Sequence, residues 1–158
     1  MMMYNYQIAR LERMYNFITS DTRFKDLDMS LRVDIILSFF MHCYHLGDWL
    51  KASGLDETKV NNFIHNTYEL QVCRNLTNST KHLDLDRKPS PPKLFDYKAA
   101  GLPSPIARTY DPLAEILGEA ETEYLVILVD GQEINCYDFM TRCMQKWKEL
   151  LDNEELSQ

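Results

Sequence analysis

The sequence predicts an α+β fold that is mostly α: a helical bundle, a proline-rich connector, a β-hairpin and a C-terminal helix. Three observations predict it. Apolar residues recur at helical spacing through residues 1–85. All six prolines fall between Pro89 and Pro112. The β-rich run Tyr124–Val129 is followed at once by Asp130 and Gly131, a pair suited to a type I′ turn. At 158 residues and 18.6 kDa the chain fits one domain with a sizeable buried core. Within it, residues 1–85 form the bundle, 86–123 the extended connector, and 124–152 the hairpin with its closing helix.

The first helix runs over residues 4–19, where Ile8, Leu11, Tyr15 and Ile18 share a face with Met14 beside them. Asp21 to Ser30 reads as a polar connection. From Leu31 onward, Ile35, Ile36, Phe39, Phe40, Cys43, Leu46 and Leu50 mark the most buried helix, with Ser30 as its N-cap and Gly54 at its end. Asp56 caps a third helix through Val60, Phe63, Ile64 and Tyr68. A fourth follows around Leu70, Val72, Leu76 and Leu83. Proline cannot continue a helix interior, so the connector is extended, with short edge strands expected at Leu94–Tyr97 or Ile106–Tyr110. Glu133–Cys136 returns as the second hairpin strand. From Tyr137 the spacing of Phe139, Met140, Cys143, Trp147, Leu150 and Leu151 is helical again, and the polar end ELLDNEELSQ is expected to fray.

Net charge is −7 and unevenly spread. Residues 1–90 hold 11 Lys+Arg against 11 Asp+Glu, whereas residues 91–158 hold 6 against 13. An acidic half repels phosphate backbones, which argues against broad nucleic-acid binding and suits a solvated surface or a basic protein partner. No apolar run nears the roughly 20 residues of a membrane span, and the start of the chain lacks a secretory layout. A cytoplasmic protein that does not contact membrane is expected. Cys43, Cys73, Cys136 and Cys143 show no close metal-ligand spacing, so they read as free thiols. The five glycines never cluster into a phosphate cradle, and no cofactor is expected.

The chemical lead lies on the fourth helix. At 100° per residue Arg74, Asn78, Lys81 and His82 gather on one face, opposite Val72, Leu76 and Leu83. A guanidinium, an amide, an ammonium and an imidazole can together hold an anionic phosphate, and His82 can move a proton near neutral pH. A solvated polar face accounts for the same pattern. A second cluster, His42, His45, Asp48 and Trp49, sits on the central helix at spacings of three and four. Asp48 can orient or charge His45. No HExxH-like pattern completes a metal set there, so hydrogen-bonded structural histidines are expected and no metal. If the two helices pack antiparallel, His45 or Asp48 can approach the Arg74/His82 face.

Arg74 followed by polar Asn75, then His82 on a late helix, resembles the HEPN superfamily, small helical bundles of toxins, abortive-infection proteins and other bacterial defence or mobile-element systems. The segments DWLK at 48–51 and NSTKH at 78–82 are similar to small bacterial proteins. In catalytic HEPN members an Arg, a polar residue and a His form a metal-independent ribonuclease site shared across a dimer. Here seven residues stand between Arg74 and His82, a longer spacing than those members use. The resemblance implies attack of a ribose 2′-hydroxyl on the adjacent phosphate. Arg74 would stabilise the phosphorane, His82 would act as general acid or base, Asn75 or Asn78 would orient the phosphate, and Lys81 would add attraction.

Two readings follow. The first is a non-catalytic interaction or regulatory protein of a phage, mobile element or bacterial defence system, with a protein partner met by the hairpin edge and the acidic segment. The alternative is a HEPN-like homodimeric ribonuclease or toxin that cleaves RNA through Arg74 and His82.

Overall fold

The computed structural model describes residues 3–81, 106–109, 123–129 and 132–155. The described chain is mostly helical. Helices α1 (Met3–Ser20), α2 (Thr22–Lys25), α3 (Met29–Ala52), α4 (Glu57–Asn66) and α5 (Tyr68–Lys81) come first. Strands β1 (Ile106–Thr109), β2 (Glu123–Val129) and β3 (Gln132–Asn135) and the helix α6 (Cys136–Glu155) follow.

The apolar spacing of α3 dictates its place at the centre. Ile36, Phe39, Phe40, Cys43, Leu46 and Leu50 are all buried, and α1, α4, α5 and α6 each pack against this helix. Phe40 meets Phe39 edge-on at 5.5 Å and Phe139 of α6 at 5.8 Å. Such pairs add about 0.5–1.5 kcal/mol to what their burial contributes. Leu11 and Ile18 of α1 are buried, as the spacing predicts, and so is the polar Gln7.

Five local details differ from the sequence expectations, one of them at Cys136, which is helical instead of ending the second hairpin strand. The Asp21–Ser30 connection contains α2, whose Phe24 is fully buried against Phe17. Asp21 makes that turn by accepting from the Arg23 amide at 2.9 Å, and a four-residue helix is too short to show a period. The N-cap of α3 is Asp28, whose carboxylate accepts from the Leu31 amide at 3.0 Å, rather than Ser30. Both residue types can cap, and the carboxylate two residues earlier takes the orphan amide. The third helix stops at Asn66, and Tyr68 opens α5 instead of closing α4, because Thr67 leaves the helical region at ψ 113°. At the chain's end α6 stays helical to Glu155, held by the buried Leu150 and by an ion pair between Lys59 and Glu154.

Other signals hold as read. Gly54 ends α3 at φ 99°, a conformation that costs a Cβ-bearing residue, and its neighbours complete a Schellman motif: Leu55 N–H to the Leu50 carbonyl and Gly54 N–H to the Lys51 carbonyl. Asp56 caps α4 at the Lys59 amide. The strands pair antiparallel in the order β1-β2-β3, with Ile106 opposite Val126 and Val129 opposite Gln132. Of the two edge-strand positions expected, Ile106–Tyr110 corresponds to β1. Leu94–Tyr97, the rest of the connector and the Asp130-Gly131 turn lie outside the described residues. Asn135 ends β3 and caps α6 through the Tyr137 and Asp138 amides, so Cys136 is helical rather than part of the strand.

Candidate functional site

The period of α5 sorts its residues as the sequence predicts. Leu70, Val72, Cys73, Leu76 and Thr77 face the core, Arg74 is exposed, and Asn75 and Asn78 are half-buried. Lys81 is the last residue of α5, and His82 lies outside the described residues.

Packing of α4 and α5 against α3 opens a cleft of about 450 Å³. Asp48 and Lys51 of α3, Asn61 and His65 of α4, and Gln71 and Arg74 of α5 line it. Asp48 and Arg74 share this cleft. Gln71 donates its side-chain amide to the His65 carbonyl, which ties α5 to the end of α4. Gly47 lets α4 come close, for a Cβ at that position would stand 2.6 Å from Ile64 Cδ1.

Asp48 is the hub of the cleft's electrostatics. One carboxylate oxygen meets Lys51 Nζ at 3.0 Å, the other His45 Nδ1 at 3.2 Å. Partial burial acts to raise the Asp48 pKa, but hydrogen bonds from Lys51 and His45 outweigh it and hold the carboxylate below its usual range. Lys51 also donates to Asn61 Oδ1 at 3.3 Å, so its charge is engaged. No described residue pairs with Arg74. The cleft therefore carries a neutralised Asp48–Lys51 pair and an exposed guanidinium, which suits an anionic group on an incoming ligand.

The histidine cluster of α3 divides. His42 turns to α1, where Gln7 Nε2 stands 3.3 Å from His42 Nδ1 and donates to the His42 carbonyl at 3.1 Å, while Arg10 donates to Gln7 Oε1. Burial, then the nearby charges of Arg10 and His45, lower the His42 pKa, and its hydrogen bonds to Gln7 give it a structural role. His45 alone keeps the Asp48 partner. Trp49 lies beside Tyr6 of α1 with ring centroids 6.4 Å apart, in the packing role its type suggests.

Sequence reasoning missed two features. His65 lines the cleft, and the spacing of Val60, Phe63 and Ile64 already left it on the far side of α4. The other is a convergence of thiols. Cys43, Cys73 and Cys143 come from α3, α5 and α6, are all fully buried, and bring their three Sγ atoms within 4.8 Å of one another. Cys73 and Cys143 are 3.6 Å apart. Burial pushes Cys73 and Cys143 up, while hydrogen bonds from Cys143 and Cys73 pull Cys43 down. Cys136 is buried elsewhere, and burial raises its pKa. No linear spacing signals this cluster, since Cys73 and Cys143 are 70 residues apart.

Comparison of the chain with protein-family models, with characterised proteins and with solved structures gives no match. Among the described residues, no helix is long and apolar enough to cross a membrane.

Proposed function

We propose that this chain is a non-catalytic interaction protein that receives a segment of a partner protein in the α3–α4–α5 cleft. The observation that carries the reading is Arg74: an exposed cation on a cleft wall whose other cation, Lys51, is already held by Asp48. An Arg of this kind meets a carboxylate in a two-pronged hydrogen bond, and Asn61 Nδ2 and Gln71 Oε1, the halves of the two amides not engaged by Lys51 and His65, can pair with the backbone of an extended segment. The described thiols are all buried and His42 is committed to Gln7, so neither contributes to the cleft. The reading takes residues 1–158 as one domain, in which the connector 86–123 and a hairpin closed at Asp130-Gly131 complete the bundle. It is a cytoplasmic regulatory component of the mobile-element or defence class that the HEPN resemblance implies. The test is affinity capture from an extract of the native host with wild type and Arg74→Glu. A partner held by wild type and lost by the folded variant supports the reading, whereas equal capture by both sinks it.

A second reading is a HEPN-like metal-independent ribonuclease. It is favoured by the exposed Arg74 with the half-buried Asn75 and Asn78 close along α5. Cleavage of mixed-sequence single-stranded RNA in EDTA, abolished in folded Arg74→Ala and His82→Ala proteins and dependent on dimer formation, would establish it. No cleavage by folded, dimeric wild type removes it.

A further inference from the structure

Three helices that share nothing in sequence deliver three thiols to one point in the core. Cys43, Cys73 and Cys143 have no exposed surface, and their Sγ atoms lie within 4.8 Å of one another. An ion about 2.3 Å from each of three sulfurs holds them at most about 4 Å apart. The 3.6 Å between Cys73 and Cys143 already satisfies that limit, and small side-chain rotations bring in the third.

We infer that Cys43, Cys73 and Cys143 form a three-thiolate site for a thiophilic trivalent ion of the arsenite class. The inference is independent of the cleft and of its partner. Thiolate sulfur selects soft ions. Which soft ion fits is decided by ligand number and charge. A structural zinc site takes four ligands, whereas the described residues offer three here, in a place closed to water.

Three thiolates around a monovalent ion carry two excess negative charges, around a divalent ion one, around a trivalent ion none, and an uncompensated charge in an apolar interior costs several kcal/mol. The charged groups nearest the sulfurs do not relieve it. Glu69 faces Cys143 and repels a thiolate, and the Arg142 guanidinium is placed over the Phe139 ring at 5.1 Å and 3.9 Å from Glu69. Trp147 Nε1 donates to the Cys43 carbonyl. A neutral complex suits these buried surroundings best.

The reaction balances without an oxidant or a base. Trihydroxyarsine, uncharged at neutral pH, exchanges each As–O bond for an As–S bond, and each hydroxyl leaves as water with the thiol proton. No electron moves and no net proton is released. The ligand reaches the core through local opening of the helices, a low-population event that makes loading slow. Once seated it ties α3, α5 and α6 through one atom, so loading raises the thermal midpoint.

The test loads the reduced full-length chain with sodium arsenite. Equilibrium dialysis with elemental analysis is expected to find one arsenic per chain, and X-ray absorption at the arsenic edge three sulfur neighbours and no oxygen. Cys136→Ala should bind as wild type does. Cys43→Ala, Cys73→Ala and Cys143→Ala, each checked for fold by circular dichroism, should bind more weakly by over a hundredfold, beyond the roughly 10–100-fold of losing a supporting residue. Because the exchange releases no proton, affinity should be flat between about pH 6 and 8, where thiolate binding of a divalent ion would steepen. The absorption measurement on wild type stands even if a variant unfolds. No arsenic on folded, reduced protein, two sulfurs with a residual oxygen, or a steep pH dependence would each overturn the inference.

Discussion

Replacing Trp147 with Phe tests how α6 is locked to the central helix. Trp147 is 3% exposed, its Nε1 donates to the Cys43 carbonyl at 3.0 Å, and its ring lies 5.8 Å from that of Phe63. Phe keeps most of the apolar contact but loses the donor and part of the ring. The Cys43 carbonyl keeps its own helical partner, so the lost hydrogen bond costs about 1 kcal/mol rather than the larger penalty of an orphaned acceptor. The smaller ring leaves roughly 40 Å³ unfilled, and at about 24 cal/mol per Å³ that adds about 1 kcal/mol. The lost transfer energy of the missing ring atoms supplies a further ~1 kcal/mol. The sum is a destabilisation of about 2–3 kcal/mol. Equilibrium urea unfolding followed by far-UV circular dichroism reads it directly, and with a slope of about 2 kcal/mol per molar the midpoint should fall by roughly 1 M. A shift below about 0.2 M at unchanged slope would refute the placement of the indole as a buried clamp between α3, α4 and α6.

Further predictions rest on single local features. Gly54→Ala should destabilise by about 1 kcal/mol in the same urea experiment, because the added Cβ meets no atom within 4 Å and the cost comes from φ 99° alone. Asp21 is held down to about 2 by hydrogen bonds from the Arg23 side chain and amide. Carboxyl NMR should therefore find its midpoint near 2, and Arg23→Ala should return it toward the usual carboxylate range; the stabilisation linked to this group is present above the ordinary value and lost as pH falls through 2. His42 has its pKa lowered from 6.5 by burial and by Arg10 and His45, so the unfolded chain takes up its proton first. Stability should fall as pH drops below 6.5 toward the depressed folded value, and His42→Gln should flatten that slope in urea midpoints measured across the range.

The helical half of the fold was legible because burial on one side of a helix writes a 3.6-residue period into the chain. Leu11 and Ile18, Phe39 and Phe40, Cys43 and Leu46, Val72 and Leu76 are all found in the core where that period puts them. The caps at Asp56 and Gly54 were legible for a local reason too, since each satisfies backbone groups within a few residues. What escaped was either too short for a period, as in α2 with its buried Phe24, or a choice between two residues able to do the same work, as between Asp28 and Ser30.

The candidate site divides along the same line. That Arg74 and Val72 lie on opposite faces of one helix was determined by the sequence, because a rotation of 100° per residue leaves no freedom. That Asp48 and His65 join Arg74 in one cleft, that His42 leaves its cluster for Gln7, and that three cysteines from α3, α5 and α6 converge were decided only by tertiary structure. A residue's own helix fixes the direction it faces. What it meets there depends on which other helix packs across that face, and that is settled by the summed burial of the whole core.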